Sequence, residues 1–180
     1  MSRTVQYALI GTLTIAVCAS FLIGQPGDLP MDDSYVHLQY ADNLVKEHQL
    51  VFNPGEFTGI GSTSILWVLL LAGFKLLGVP TLVAAKALGM ASFVVAAWCV
   101  FELGRSLFDR LLGERGDFAA LVGACLFVFS GNMIWFALSG METMLFLAFG
   151  LLALTFYQSE QFGSMAVCLA LMTLTRTEGV

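Results

Sequence analysis

Long runs of apolar residues alternate with short polar segments along most of the chain. The first run, residues 7–24, contains no charged residue, and its length approaches the roughly 20 residues that a helix needs to cross a bilayer. Later runs predict four further spanning helices, at residues 81–104, 117–138, 142–157 and 162–175, the last of which is short for a full crossing. The pattern therefore predicts an all-α, polytopic membrane helical bundle.

Residues 65–78 form another apolar run, but this run is shorter and contains Lys75. Apolar runs of this length are more often re-entrant or interfacial than spanning. The placement of charge decides whether residues 65–78 cross the membrane, because cytoplasmic loops are enriched in Lys and Arg. Arg3 favours an inner N terminus, and the arginine-rich segment 105–117 lies inside only if residues 65–78 do not cross. We therefore predict a helix along the outer membrane surface at residues 65–78, within an external loop that covers residues 25–80.

The composition agrees with a membrane protein. Hydrophobic residues make up 58% of the chain and charged residues 12%, whereas soluble domains contain about 25% charged residues. The formal net charge of −5 argues against nucleic acid as a partner, because few cations are available to neutralise phosphates. All four cysteines lie inside apolar runs, so we predict neither a disulfide nor a metal site from them.

Residues 34–48 of the external loop predict an amphipathic helix. Apolar side chains recur at helical spacing on one face, and polar side chains occupy the opposite face. The apolar face consists of Val36, Tyr40, Ala41, Leu44 and Val45. A helix of this kind suits the membrane interface, so we predict that it lies there.

Two adjacent carboxylates, Asp32 and Asp33, precede this helix. One explanation is structural, because Asp is a good N-cap and acids stabilise the positive end of a helix dipole. The other is catalytic, because one helix needs only one cap and a pair of close carboxylates favours proton uptake near neutral pH. We take Asp32 and Asp33 as candidate catalytic residues, with capping an open alternative for one of them.

A further carboxylate, Glu142, lies in the segment 139–143, which has the sequence Ser-Gly-Met-Glu-Thr. Ser139 followed by Glu142 matches a capping box at the start of the next helix. The predicted topology also puts Glu142 on the same outer side of the membrane as Asp32 and Asp33. A carboxylate at that depth is a functional candidate, so both interpretations stay open.

The segment 175–179, Thr-Arg-Thr-Glu-Gly, contains a cation at a predicted membrane boundary. Arg176 could contact lipid headgroups, or it could hold the phosphate of a lipid-linked substrate, with Glu178 as its partner.

His37 shares a helix face with Asp33. A single His more commonly has a hydrogen-bonding role, and a divalent cation bound by His37 and Asp33 stays an alternative. The candidate substrate-binding residues are Glu142, Arg176, Glu178, His37 and Tyr40.

Taken together, these segments resemble a known family. The sequence Asp-Asp-Ser-Tyr-Val-His-Leu-Gln-Tyr-Ala-Asp-Asn-Leu-Val from residue 32, with Leu-Val-Phe-Asn-Pro-Gly-Glu at 50–56 and Gly-Ser-Thr-Ser-Ile-Leu-Trp at 61–67, resembles the first external loop of GT-C type glycosyltransferases. These are integral membrane enzymes that use polyprenyl-phosphate sugars. The segments 139–143 and 175–179 resemble two later signatures of the mycobacterial and corynebacterial terminal arabinofuranosyltransferase branch.

The resemblance implies a GT-C type bundle with its active site on the extracytoplasmic side of a bacterial inner (plasma) membrane. It implies that Asp32 is the catalytic base, that Asp33 supports it, that Glu142 lies near the site and that Arg176 contacts the donor phosphate. The implied partners are a polyprenyl-phosphate sugar donor, a cell-envelope glycan or lipid acceptor, and membrane lipids. Family members are several times longer, so we expect this chain to be the N-terminal part of the enzyme and to be inactive alone.

The expected function is therefore sugar transfer with inversion at the anomeric carbon. Two alternatives stay open. Acids inside membranes also mark proton paths, which would suit a proton-coupled transporter. The chain could also be a catalytically silent membrane scaffold in which the acid pair only caps a helix. No cofactor is required by these residues, and a divalent cation stays an open alternative.

Overall fold

The computed structural model describes residues 2–24, 27, 29–55 and 62–176. These residues form helices and connecting turns, with no strand among them, which confirms the all-α class. The α-helices are α1 (Arg3–Gly24), α2 (Asp32–Lys46), α3 (Ile65–Leu76), α4 (Thr81–Leu112), α5 (Gly116–Val128), α6 (Gly131–Leu138), α7 (Thr143–Gln158) and α8 (Phe162–Thr175), and a 3₁₀ turn covers Gly113–Arg115.

Within the described residues, α1 and α4 are each long and apolar enough to cross a membrane. The segment 117–138, expected as one span, instead consists of α5 and α6, which meet at a bend of 58° and would make a third crossing if they act together. The break lies at Ser130, whose extended backbone interrupts the helical conformation before α6 begins. α7 and α8 have 16 and 14 residues, which is short for a full crossing.

The longest helix, α4, lies at the centre of the bundle and packs against α1, α5, α6 and α7. It continues beyond residue 104, where the sequence pattern predicted its end, and it stops at Gly113, whose positive φ of 57° is incompatible with a further helical turn. Gly89 allows the close approach of α6, because a Cβ at this position would lie 1.9 Å from the carbonyl oxygen of Ala137. Small side chains along α4 thus permit dense helix packing.

One end of the bundle carries four arginines, Arg3, Arg105, Arg110 and Arg115. α1 and α4 run antiparallel, so the start of α1 lies beside the end of α4: the Tyr7 hydroxyl donates a hydrogen bond to Glu102, and the Trp98 indole donates to the Tyr7 carbonyl. Arg105 pairs with the same Glu102 carboxylate at 3.2 Å. The opposite end of the bundle carries α2, α3 and the turn that precedes α7.

The apolar face of α2 packs against protein. Tyr40 and Ala41 are buried in a cluster with Trp67 and Leu71 of α3 and with the first turns of α4. The contact with α3 and α4 therefore explains the amphipathic pattern of α2, which had predicted a position in the membrane interface. On α3 the outward face is apolar instead, with Ile65, Leu69 and Leu76 exposed.

Polar contacts complete the packing of α2. Lys75 of α3 forms an ion pair with Asp42 of α2 at 3.2 Å. The Asn43 side chain donates to the carbonyl oxygens of Val51 and Phe52, which holds the chain after α2 against that helix. These contacts fix the position of α2 relative to α3 and to the segment that connects them.

Candidate functional site

A polar cavity of about 300 Å³ opens at the end of the bundle opposite Arg105, Arg110 and Arg115. Its walls come from the first turns of α2, the segment before α3, the turn before α7 and the residue after α8. The lining residues are Asp33, Val36, His37, Thr63, Met141, Glu142 and Arg176. A larger cavity of about 590 Å³ between α7 and α8 is lined by apolar side chains and Tyr157, and it offers no acid or base for chemistry.

The turn before α7 is clamped between α2 and α3. Gly140 has a φ of +81°, and a Cβ there would lie 2.6 Å from Leu29 Cδ1, so this turn requires glycine. The Ser34 hydroxyl donates to the Ser139 carbonyl oxygen at 2.7 Å, although the two residues are 105 positions apart. The Trp67 indole N–H donates to the Gly140 carbonyl oxygen at 3.1 Å. These contacts place the next two side chains, Met141 and Glu142, in the cavity wall.

The Glu142 carboxylate is 2% exposed and lies between two nitrogen-bearing side chains. Its Oε2 lies 3.3 Å from Nε2 of His37, and its Oε1 lies 3.7 Å from Nε of Arg176. Oε2 has no well-directed hydrogen bond from a described residue, so its contact with His37 is mainly electrostatic. These partners explain how a carboxylate is tolerated at this depth.

The protonation state of Glu142 follows from these surroundings. Burial by itself raises the pKa of this carboxyl, but the contact with His37, a backbone hydrogen bond and the charge of Arg176 together outweigh burial. The pKa of Glu142 is therefore held below its usual value, and the group is an anion at neutral pH. A carboxylate in this state can only accept hydrogen bonds.

Asp32 and Asp33 occupy the first turn of α2, where the helix dipole favours acids. Met31 is the N-cap, and no side chain forms a capping hydrogen bond there, so capping does not explain either acid. Both side chains are exposed. Asp33 lines the cavity, whereas Asp32 is not one of its lining residues.

The capping box expected at residues 139–142 is absent. α7 begins at Thr143, with Glu142 at its N-cap position and no side-chain capping bond. The Ser139 hydroxyl instead donates to the Phe136 carbonyl and accepts from the Met141 amide. Ser139 therefore closes the end of α6, which leaves the Glu142 side chain available to the cavity.

The remaining predicted site residues divide into three cases. His37 and Arg176 line the cavity with Glu142, as described above. Tyr40 lies in the α2–α3 core beside the Phe52 ring and is not a lining residue of the cavity. Glu178 lies outside the described residues.

The sequence pattern did not reveal Ser62, Ser34 or Trp67 as parts of this region. The Ser62 hydroxyl lies 3.1 Å from Nδ1 of His37 and is 4% exposed. Trp67 is fully buried, and its indole N–H holds the turn at Gly140. Small polar residues in a Gly-Ser-Thr-Ser segment resemble a flexible connection, so their burial has no signal in the sequence.

No group of three or more His, Cys, Asp or Glu side chains that could hold a metal ion is found among the described residues. The proposed pair of Asp33 and His37 therefore has no third protein ligand within that part of the chain. His37 already contacts Ser62 through one ring nitrogen and Glu142 through the other. Neither ring nitrogen is directed at a shared site with Asp33.

The cavity thus combines an exposed carboxylate, Asp33, with a cation, Arg176, whose guanidinium contacts the buried Glu142 anion. Asp33 forms no hydrogen bond or ion pair with another described residue, so it is available to accept a proton from a bound molecule. Arg176 can contact a phosphate. Comparison of the chain with family models, curated proteins and solved structures gave no match.

Proposed function

We propose that this chain forms part of the active site of a GT-C type membrane glycosyltransferase, closest to the terminal arabinofuranosyltransferase branch. The observation that carries this proposal is the cavity in which Asp33, Glu142 and Arg176 meet, although they belong to three distant segments. These segments are also the ones that resemble the family. The combination supplies a base for an acceptor hydroxyl and a cation for a leaving phosphate.

In the proposed reaction, an acceptor hydroxyl enters the cavity and a carboxylate takes its proton. The acceptor oxygen then forms a bond to the anomeric carbon of the sugar. The bond between that carbon and the phosphate oxygen breaks, and polyprenyl phosphate leaves with the electron pair. A single displacement of this kind inverts the anomeric carbon. General base catalysis contributes about 10²- to 10⁴-fold to such a rate.

Asp33 is the better supported base of the two adjacent acids. The resemblance assigns this role to Asp32, but Asp33 lines the cavity and Asp32 does not. A general base must be within hydrogen-bonding reach of the proton that it removes. In our proposal Asp33 removes the proton, and Asp32 adds a second negative charge in the same helical turn.

Comparison of Asp33→Asn with Asp32→Asn tests this assignment, because each variant removes one charge from the same helical turn. Transfer of radiolabelled sugar from polyprenyl phosphate is measured in membranes that contain the full-length gene product. We expect Asp33→Asn to reduce the rate by at least about 10²-fold and Asp32→Asn to reduce it less. Equal loss in both variants would leave the base unassigned between them, and normal rates in both would refute the proposal.

Arg176 is the proposed phosphate ligand. Its side chain is 36% exposed, so it can meet a ligand in the cavity, and its Nε faces the Glu142 anion. A guanidinium held in this way matches the geometry of a phosphate better than an ammonium does. We therefore expect the donor KM to rise in Arg176→Lys even though the charge is retained.

The clustering of three arginines in one short segment supports an extracytoplasmic cavity, because the four cations among the described residues at the cavity end, Lys46, Lys75, Lys86 and Arg176, are spread over separate elements. Arg105, Arg110 and Arg115 lie at the end of α4 or just beyond it, and the cavity is at the opposite end of the bundle. Arginines favour the cytoplasmic side.

A proton-coupled transporter is the main alternative function. Binding of a polyprenyl-phosphate sugar distinguishes the glycosyltransferase from the transporter, because a transporter does not require that lipid.

A further inference from the structure

Ser62 contacts the candidate site without lining the cavity. Its hydroxyl lies 3.1 Å from Nδ1 of His37, and it accepts a hydrogen bond from the Ser64 backbone amide at 3.4 Å. The Ser62 side chain is 4% exposed, so water does not compete freely for these contacts. On its other side, the His37 ring faces Glu142 through Nε2 at 3.3 Å. Ser62, His37, Glu142 and Arg176 therefore form one continuous chain of polar contacts.

The direction of this chain follows from which groups can donate. The Glu142 carboxylate can only accept, and at 3.3 Å it would repel a lone pair on Nε2 of His37. Electrostatics therefore favour a proton on Nε2, although this N–H is not well directed at the carboxylate. In a neutral imidazole Nδ1 is then an acceptor, and its partner must donate. Ser62 can donate to Nδ1 while it accepts from the Ser64 amide, because a hydroxyl has one proton to donate and two lone pairs with which to accept.

We infer that Ser62 is a positioning residue: its hydroxyl donates to Nδ1 of His37, fixes the tautomer with the proton on Nε2, and thereby holds Glu142 where it pairs with Arg176. The role of Arg176 as a phosphate ligand rests on the proposed function, whereas the tautomer of His37 does not. His37 in this state is engaged at both ring nitrogens. It therefore acts on the orientation of Glu142 and not as the base.

The tautomer can be measured directly, because His37 and His48 are the only histidines in the chain. The full chain, labelled with ¹⁵N-histidine, is reconstituted in lipid nanodiscs and its imidazole nitrogens are observed by NMR at pH 8. His48→Asn assigns the signals, and Asn suits the positive φ of 55° at that position. We expect the His37 proton on Nε2 and none on Nδ1. A proton on Nδ1 would overturn the inference.

Ser64 provides a matched control. It lies two residues away in the same segment and is fully buried, but its hydroxyl has no hydrogen-bond partner among the described residues. We expect Ser62→Ala to shift the Nδ1 resonance of His37 and Ser64→Ala to leave it unchanged. No shift in Ser62→Ala, or the same shift in both variants, would contradict the role of Ser62.

The kinetic test uses the same pair of variants in the radiolabelled transfer assay. We expect the donor KM to rise about two- to tenfold in Ser62→Ala, the range for one lost hydrogen bond, with a smaller change in kcat. Ser64→Ala should match the wild type. An unchanged KM in Ser62→Ala would refute the positioning role. Absence of transfer in the wild type would instead refute the proposed function, and the NMR result would stand.

Discussion

At the residue scale, Glu142 shows how neighbours determine the state of a buried acid. Burial alone would favour its neutral form, but His37 and Arg176 lie on either side and hold its pKa below the usual value. The anion is therefore a part of the folded structure. Its contacts join α2 to the residue that follows α8, so the ionised state of one side chain stabilises the walls of the cavity.

Acidification should reveal this contribution. A carboxyl with a lowered folded pKa stabilises the protein above its unfolded pKa, about 4.3 for Glu, and the stabilisation is lost as the pH falls through the folded value. We expect the Tm of the wild type in detergent to fall more between pH 6 and pH 3 than that of Glu142→Gln. Parallel curves for the two proteins would show that Glu142 contributes no pH-dependent stability.

Gly140 illustrates a second residue-scale constraint, since its positive φ disfavours a side chain and a Cβ there would require the Leu29 side chain to move. Gly78 has nearly the same positive φ, 82° against 81°, but a Cβ there meets no atom within 4 Å. Gly78→Ala therefore measures the backbone strain, and Gly140→Ala adds the clash with Leu29. We expect Gly78→Ala to lower the free energy of unfolding by roughly 1 kcal/mol and Gly140→Ala by clearly more. Equal losses would mean that Leu29 moves aside without cost.

At the element scale, close approach and polar contacts between helices set the shape of the site. Gly89 brings α4 against α6, and a Cβ at Gly89 would lie 1.9 Å from a backbone oxygen, which cannot move independently of its helix. A Cβ at Gly123 of α5 would meet no atom within 4 Å. Both glycines have a helical backbone conformation, so they differ only in how closely a neighbouring helix packs against them.

Alanine at these two positions should act in opposite directions. We expect Gly123→Ala to stabilise the protein by roughly 0.5–1 kcal/mol through helix propensity. Gly89→Ala should destabilise it, because α6 must shift away from α4. Thermal unfolding in detergent measures both effects, and a stabilising Gly89→Ala would contradict the described contact between α4 and α6.

The contact between α3 and the turn before α7 depends on Trp67. Phenylalanine at this position removes the indole N–H and leaves the buried Gly140 carbonyl without that donor. We expect Trp67→Phe to lower the free energy of unfolding by about 1–3 kcal/mol. Trp98 also donates to a backbone carbonyl, but it is partly exposed, so Trp98→Phe should have a smaller effect. A larger loss in Trp98→Phe would argue against the importance of the Trp67 contact.

At the scale of the whole molecule, the cluster of arginines favours one of the two possible orientations of the bundle in a membrane. The arginines of α4 and of the following turn lie at one end, and the cavity lies at the other. In the topology that we propose, these arginines are cytoplasmic and the cavity opens on the outer side of the membrane. The location of the proposed chemistry therefore depends on topology as much as on the side chains themselves.

Reporter fusions test this orientation. We expect a fusion at Gly113 to give a cytoplasmic signal and one at Gly55 to give an external signal, because these exposed turns lie in the predicted inner and outer segments. An external signal at Gly113 would reverse the bundle and move the cavity to the cytoplasmic side. The same signal at both positions would require residues 65–78 to cross the membrane.

The helices could largely be predicted from the sequence, because apolar runs and their spacing are local properties. Residues 7–24 and 81–104 correspond to α1 and α4, and residues 34–48 and 65–78 correspond to α2 and α3. The helix ends were less well predicted: the helix breaks at Ser130, where the backbone is extended, and α4 continues to Leu112, before Gly113 with its positive φ. A run of apolar residues does not show where the backbone leaves the helical conformation.

The sequence by itself determined the helical class, the apolar runs and the candidate acids and cation, because residue type and spacing are sufficient for these properties. Five spans were predicted, whereas two helices, or three if α5 and α6 act together, are long enough among the described residues. The tertiary structure alone decided which of the candidates meet. It brought His37, Glu142 and Arg176 together, added Ser62, and separated Asp33 in the cavity wall from Asp32 outside it. These relations arise from contacts between residues up to 105 positions apart, and the pattern of neighbouring residues carries no information about contacts over such separations.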